Sequence, residues 1–502
     1  MIFKPSLFRR LTASGLAVIL IGFTSGAGSL AQDIYGGASA ASSDTSDLES
    51  RLGIGVFTNP QYFAHAKKRL ADKTATRTKS TIATNRPPDP KPRPSDPAVI
   101  ARALNDQADA FFDKDEFEKA ADAYQKVVRL QPKNFDAYLN LGNSYYNLGR
   151  FDEAEAAYKK SGGLKPDAAE PYQKLGDTYL KQEKKTEAVE ALKQAVKLDA
   201  KSAEAKTSLS VAYYQQGVAA YNAGDYDAAV AAYQQAVSVK PDYGEAHNNL
   251  GDSYRRLNKF AEAIDAYKLA IRFKGNWSEK GKLSETYANL AWVYDKQARY
   301  LEALDSYREL ISLKPDDAEA YNNRGYALGK TRRWTDAITS FKRAIELKAD
   351  YAEPYSNLGW AYNNTGRFKE AVEPLKRAIQ LKPELPEAHF NLGITDARLG
   401  EKQEALASFQ KAIQLKPDWP QAHNNLGYAY GSLSNWKQAI EAHKKAAEIK
   451  PDYWGAYFNL GYAYLKSGNK KAATEQYNLL RSKNQELANK LYFLIYKKQP
   501  PR

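Results

Sequence analysis

The sequence predicts an all-α solenoid of about eleven stacked helical hairpins, closed at its C-terminal end by a capping helix. Three observations predict it. From Ala352 to Tyr453 the chain reads as three gapless lines of 34 residues. Leu358-Gly359, Leu392-Gly393 and Leu426-Gly427 recur at one place in these lines, Ala371, Ala405 and Ala439 at a second, and Pro383, Pro417 and Pro451 at the end. Self-similarity at such a period marks a repeat array, whose units cannot bury their apolar faces alone and must stack. Within one unit the apolar residues fall at helical spacing in two blocks. Tyr355, Leu358, Gly359 and Tyr362 form the first block; Ala371, Val372, Leu375, Ala378 and Ile379 form the second. Between them Gly366 can take the left-handed conformation that ends a helix, and the closing Lys-Pro stops the second block, because proline cannot continue a helix. Finally, the chain has no cysteine, so packing alone must hold it together.

Joined, the recurring residues read aromatic or His-x2-Leu-Gly-x2-aromatic, then Ala-x3-aromatic or Leu, then Pro. This pattern resembles the tetratricopeptide repeat family, and the resemblance runs from Ala101 to Leu487. It implies a right-handed superhelical solenoid in which the first helix of every unit lines a concave face. Gly and Ala recur where the two helices of a hairpin approach closely, since large side chains there would push the pair apart.

Taken in order, the chain opens with Lys4, Arg9 and Arg10, an apolar run, and the small-residue end Ser29-Leu30-Ala31. That order reads as a secretory signal peptide over residues 1–31, with an uncleaved membrane anchor as the alternative. The expected location is therefore exported: periplasmic, secreted or envelope-associated. Residues 32–100 are rich in Ser and Thr, then in Pro and basic residues, with no usable apolar period, and read as a disordered linker. Within residues 67–93, nine basic residues face only Asp72 and Asp89, a composition suited to an anionic surface or to a stiff spacer. Eleven units follow, starting at Ala101, Phe135, Ala169, Ser210, Gly244, Ser284, Ala318, Ala352, Pro386, Pro420 and Trp454. Seven extra residues, Ala203 to Leu209, amount to about two helical turns and predict a long first helix in the fourth unit. Six more, Ser278 to Leu283, predict a possible division into units one to five over 101–277 and six to eleven over 278–487. Residues 488–502 read as the capping helix and tail.

With 43% hydrophobic and 26% charged residues in 502, the chain is too polar for a multi-span membrane protein. No phosphate-cradling glycine loop, nucleophile elbow or metal-ligand spacing appears, so the reading is non-enzymatic, with no cofactor and no metal. Of the five histidines, His247, His389 and His423 fill the fourth position of their units, where Tyr138, Tyr321 and Tyr355 stand elsewhere. They read as packing residues.

The candidate site is instead a surface. The sixth position holds Asn289, Asn323, Asn357, Asn391, Asn425 and Asn459, and earlier Asn140 and Asn249. Asparagine is a poor helix former, so its return at one helical position asks for a reason. The resemblance supplies one: in that family, asparagines at this position pair with the backbone of an extended peptide. An amide offers both donor and acceptor and grips a peptide unit without reading its sequence. Inter-repeat hydrogen bonds are the alternative use. The ninth position carries Trp292, Tyr326, Trp360, Ile394, Tyr428 and Tyr462, three residues on and therefore on the same face. These rings serve a peptide groove, stack on the sugars of an envelope polysaccharide, or pack as core. The second position is mostly acidic, with Glu170, Glu245, Glu285, Glu319, Glu353 and Glu387. Members of the family that grip a C-terminal carboxylate use Lys and Arg at the second and sixth positions, so binding of that kind is not expected here. Nor is nucleic acid, because the net charge of +14 forms no evident basic stripe. An extended protein segment is the expected partner.

Overall fold

A computed structural model describes residues 96–277 and 282–497. The expected signal segment, the linker up to residue 95, Gly281 and the tail beyond residue 497 lie outside them. Among the described residues there are 23 α-helices and no strand. Twenty-two of these helices pair in sequence into eleven hairpins, and the last, Gln485–Tyr496, stands alone. No described helix is long and apolar enough to cross a membrane.

Each hairpin is built by the same two devices. The first is a turn in which the fifteenth residue of the unit is left-handed. Glycine takes that place at Gly149, Gly224, Gly366, Gly400 and Gly468 (φ 72° to 90°), and Asp115, Glu183, Asn258, Ala298, Arg332 and Ser434 adopt it at φ 54° to 62°. The turn is therefore a property of the repeat, imposed even where the residue carries a Cβ that disfavours it. The second device is a close approach. The glycine at the eighth position lies against the twenty-fourth residue of the same hairpin, so a Cβ on Gly325 would fall 2.6 Å from the Phe341 ring and one on Gly251 2.7 Å from the Tyr267 ring. Several twenty-fourth residues, Tyr124, Tyr158, Tyr233, Tyr267, Phe341 and Phe409, are among the largest fully buried side chains. The core is thus a column of twenty-fourth residues, mostly aromatic, with Leu192, Leu375 and His443 at the same place in other hairpins.

Three boundaries differ from the sequence reading. The first helix is Pro97–Phe112, four residues ahead of Ala101, because Asp96 accepts from the Ala98 amide at 3.0 Å and Pro97 stands in the first turn. Residues 97–100 therefore belong to the array and not to the linker. The sixth unit opens at Lys282 rather than Ser284, with helix Lys282–Lys296. The final helix begins at Gln485, where the Asn484 side chain accepts from the Leu487 amide at 3.1 Å. It buries Ala488, Leu491 and Ile495 against Tyr477 and Leu480 of the last hairpin, covering a face that would otherwise meet water. The long first helix of the fourth unit is Ala203–Asn222, 20 residues, capped by the Ser202 hydroxyl on the Ala205 amide.

Candidate binding face

Positions six and nine of each first helix lie three residues apart, and the structure shows what each side chain does there. Asn357 donates from Nδ2 to Asn322 Oδ1 at 2.9 Å, Asn459 to Asn424 Oδ1 at 3.0 Å, and Asn289 to Asp252 Oδ1 at 2.9 Å. All three acceptors stand in the preceding unit, so these asparagines stitch repeat to repeat. Each uses Nδ2 only, which leaves Oδ1 as an acceptor. Asn323 accepts from its neighbour Asn322 at 3.2 Å. Asn425 is half-buried and its side chain makes no hydrogen bond to another described residue. Asn391 departs from the series: it is 1% exposed, lying under Asn363 of the preceding unit, which donates to its backbone oxygen at 2.9 Å. A ligand on this face does not reach it, and Asn391 is corrected to a packing residue.

The stitching depends on residues that the sequence reading passed over. Asn322 and Asn424, at the fifth position, are 5% and 6% exposed. Their signal was on view in the doublets Asn248-Asn249, Asn322-Asn323 and Asn424-Asn425: two adjacent amides on a helix cannot both face water on one stripe, so one must be held inside. Asn424 also takes the ring of His443, whose Nδ1 lies 2.9 Å from its Oδ1.

The rings at the ninth position follow a rule that was likewise not read. Each packs edge-on against the aromatic that opens the second helix of the preceding unit: Trp292 on Phe260 at 6.0 Å, Tyr326 on Tyr300 at 6.4 Å, Trp360 on Trp334 at 5.0 Å, and Tyr462 on Trp436 at 6.2 Å. Tyr326 and Trp360 also meet each other at 5.9 Å. Tyr428 has no such platform, because the residue in that register is Lys402, and it is left 64% exposed. Cations from the thirteenth position lie over the rings: Lys296 over Trp292 at 5.1 Å, Lys330 over Tyr326 at 5.7 Å and Lys466 over Tyr462 at 5.5 Å. The face is therefore a band of amides, ring edges and ammonium groups rather than a row of open rings.

The acidic second position is partly spent within the array. Glu353 pairs with Lys382 at 2.8 Å, and Glu387, 8% exposed, lies 3.8 Å from Lys416; both lysines belong to the Lys-Pro that closes a unit. Glu170, Glu285 and Glu319 are exposed.

Histidines at the fourth position have one repeated task. The Nε2 atoms of His247, His389 and His423 lie 2.9, 2.9 and 2.8 Å from the carbonyl oxygens of Pro241, Pro383 and Pro417. Each pins the end of the preceding unit. Burial lowers the His247 and His389 pKa values and takes that of His443 down to about 4, so the last ring is neutral at ordinary pH. Among the described residues no group of three or more His, Cys, Asp or Glu is placed to hold a metal ion.

Several carboxylates are buried along the first helices. Burial pushes Asp295 up to about 7, and Asp177 and Asp396 up to about 6. Asp295 accepts from the Tyr307 hydroxyl at 2.5 Å through Oδ2, while its buried Oδ1 has no partner. Asp252 is also raised by burial, and takes Tyr267 at 2.6 Å together with Asn289.

Family models match the repeats along most of the array. Family models described as "Tetratricopeptide repeat" match residues 214–276, 289–352, 134–201, 420–453 and 455–480, and one described as "TPR repeat" matches 108–149, 359–400 and 396–434. Among curated proteins, none matches the chain. Among solved structures, yeast Tom70 is 16% identical, covering 79% of this chain and 94% of its own, with a TM-score of 0.36. PilW, a widely conserved type IV pilus biogenesis factor, is 22% identical over 42% of this chain and 98% of its own, with a TM-score of 0.39. The MamA protein is 28% identical over 36% of this chain and 93% of its own, with a TM-score of 0.30.

Proposed function

We propose that this chain, which belongs to the tetratricopeptide repeat family and with it is a protein-interaction scaffold, holds an extended segment of a partner protein along the sixth and ninth positions of its first helices. The observation that carries this reading is the return of asparagine at the sixth position through six consecutive units, with Oδ1 left over wherever Nδ2 bonds the preceding unit. The acceptors left over at Asn289, Asn357, Asn425 and Asn459 suit the backbone N–H groups of an extended chain, which recur without regard to sequence. The ammonium groups over the ninth-position rings favour a segment that carries acidic side chains.

A polysaccharide is the weaker reading. Rings that stack on sugars must offer their faces, and Trp292, Tyr326, Trp360 and Tyr462 are engaged by neighbouring rings and cations. Tyr428 is the exception. It is also the right place for a reporter. With a photo-reactive phenylalanine at Tyr428, peptides selected on the chain from a random display library cross-link there. The same reporter at Leu301, 66% exposed on a second helix, gives no adduct. Labelling at Leu301 and not at Tyr428 would refute this placement.

A further inference from the structure

At the seventh position most units carry leucine, as at Leu250, Leu290, Leu358, Leu392 and Leu460; the seventh unit carries Arg324. A guanidinium thus stands where the repeat expects an apolar side chain. It is half-buried, its Nε and Nη2 donate to the Ser340 hydroxyl at 3.1 and 2.9 Å, and it stacks over Tyr321 at 5.1 Å. Ser340 is fully buried. Among the described residues Arg324 forms no ion pair, although two other arginines beside it do: Arg333 takes Asp336 at 2.7 Å and Arg308 takes Asp305 at 3.1 Å. Burial accordingly lowers the Arg324 pKa.

Arg324, Arg308, Arg333 and their two aspartates line a cleft of about 370 Å³ between the second helices Tyr300–Leu313 and Trp334–Leu347, with Leu304 and Leu328 as its apolar wall. A charge taken out of water without a counter-ion is costly, and Nη1 of Arg324 bonds to none of the described residues. Arg308 also lies 3.6 Å from Glu309, so both neighbouring guanidinium groups are matched by carboxylates, and the single charge of Arg324 is the one without a partner among the described residues. That balance matches a singly charged oxyanion better than a dianion, and a guanidinium fork fits a carboxylate.

We propose that this cleft is a second binding site, separate from the sixth- and ninth-position face, and that it takes a single carboxylate from an acidic side chain of a protein partner. Arg324 supplies the charge, Ser340 holds its fork in place, and the apolar stem of the incoming residue lies against Leu304.

The test uses the full chain and three probes at one ionic strength: a blocked tri-glutamate peptide, its tri-glutamine counterpart, and inorganic phosphate. Calorimetric titration is expected to give weak saturable binding of the glutamate peptide, none of the glutamine peptide, and weaker binding of phosphate. Arg324→Leu, which restores the residue other units carry, should fold and lower the glutamate affinity at least fivefold. Arg324→Gln, which keeps a donor to Ser340 without the charge, should lose as much. Unchanged affinity in either variant would overturn the proposal, as would equal binding of the glutamine peptide. Phosphate binding tighter than the glutamate peptide would overturn the choice of a carboxylate.

Discussion

Trp360→Ala is expected to destabilise the array by about 3–5 kcal/mol, whereas Tyr428→Ala, at the same repeat position two units on, should cost no more than about 0.5 kcal/mol. Trp360 packs on Trp334 and Tyr326 and fills the space over Gly329, where a Cβ would lie 2.4 Å from its ring. Removing it opens a cavity at the joint between the seventh and eighth units, and in a stack of nearest-neighbour units that loss falls on the one joint, where the Asn357–Asn322 bond remains. Tyr428 loses little, because water already covers 64% of it. Urea denaturation followed by circular dichroism measures both. Equal losses would mean that the ninth-position rings are one structural series and that Tyr428 is not left over for a ligand.

Asp295→Asn is expected to stabilise the protein at pH 8 by about 2–4 kcal/mol and to change it little at pH 4. The sign follows from the direction of the shift. The folded pKa, about 7, lies above the ordinary value near 3.9, so the unfolded chain loses its proton first. Below about pH 4 both states are protonated and the group costs nothing; between about pH 4 and 7 only the unfolded chain gives up the proton, so stability falls, and above 7, where the folded carboxyl is ionised too, the loss levels off. Desolvation is the larger cause, opposed by the hydrogen bond from Tyr307 and the charge of Lys296. Asparagine keeps an acceptor for Tyr307 and carries no charge at any pH. Thermal unfolding of both chains at pH 4 and pH 8 checks it; a gap as large at pH 4 would mean the effect is packing and not ionisation.

The repeat period made most of this fold legible. Leu-Gly at positions seven and eight, Ala at twenty and Pro at the close placed most of the first helices to the residue, and the seven residues Ala203 to Leu209 lengthened one helix as their number requires. The site was less legible, for a reason that belongs to helices. Periodicity assigns a residue to a face but not to a neighbour. Asn391 and Asn425 share a position, yet Asn363 of the preceding unit covers the first, while the second stays half-open. Trp360 and Tyr428 share another, yet the residues that open the preceding second helices, Trp334 and Lys402, decide which ring is covered. That information lay some 26 residues upstream of each ring and not within its own helix. Arg324 could have been read as a break in the leucine series, but its lack of a carboxylate partner could not.

The central claim is that half-buried sixth-position amides grip a peptide backbone, and Asn425→Ala tests it most directly. Asn425 makes no side-chain bond within the array, so its loss leaves the fold intact. A library-selected peptide should bind this variant about 3- to 10-fold more weakly, the worth of about one hydrogen bond, with circular dichroism unchanged. Affinity equal to that of the unaltered chain would contradict the account, and would leave the asparagines to their role between repeats.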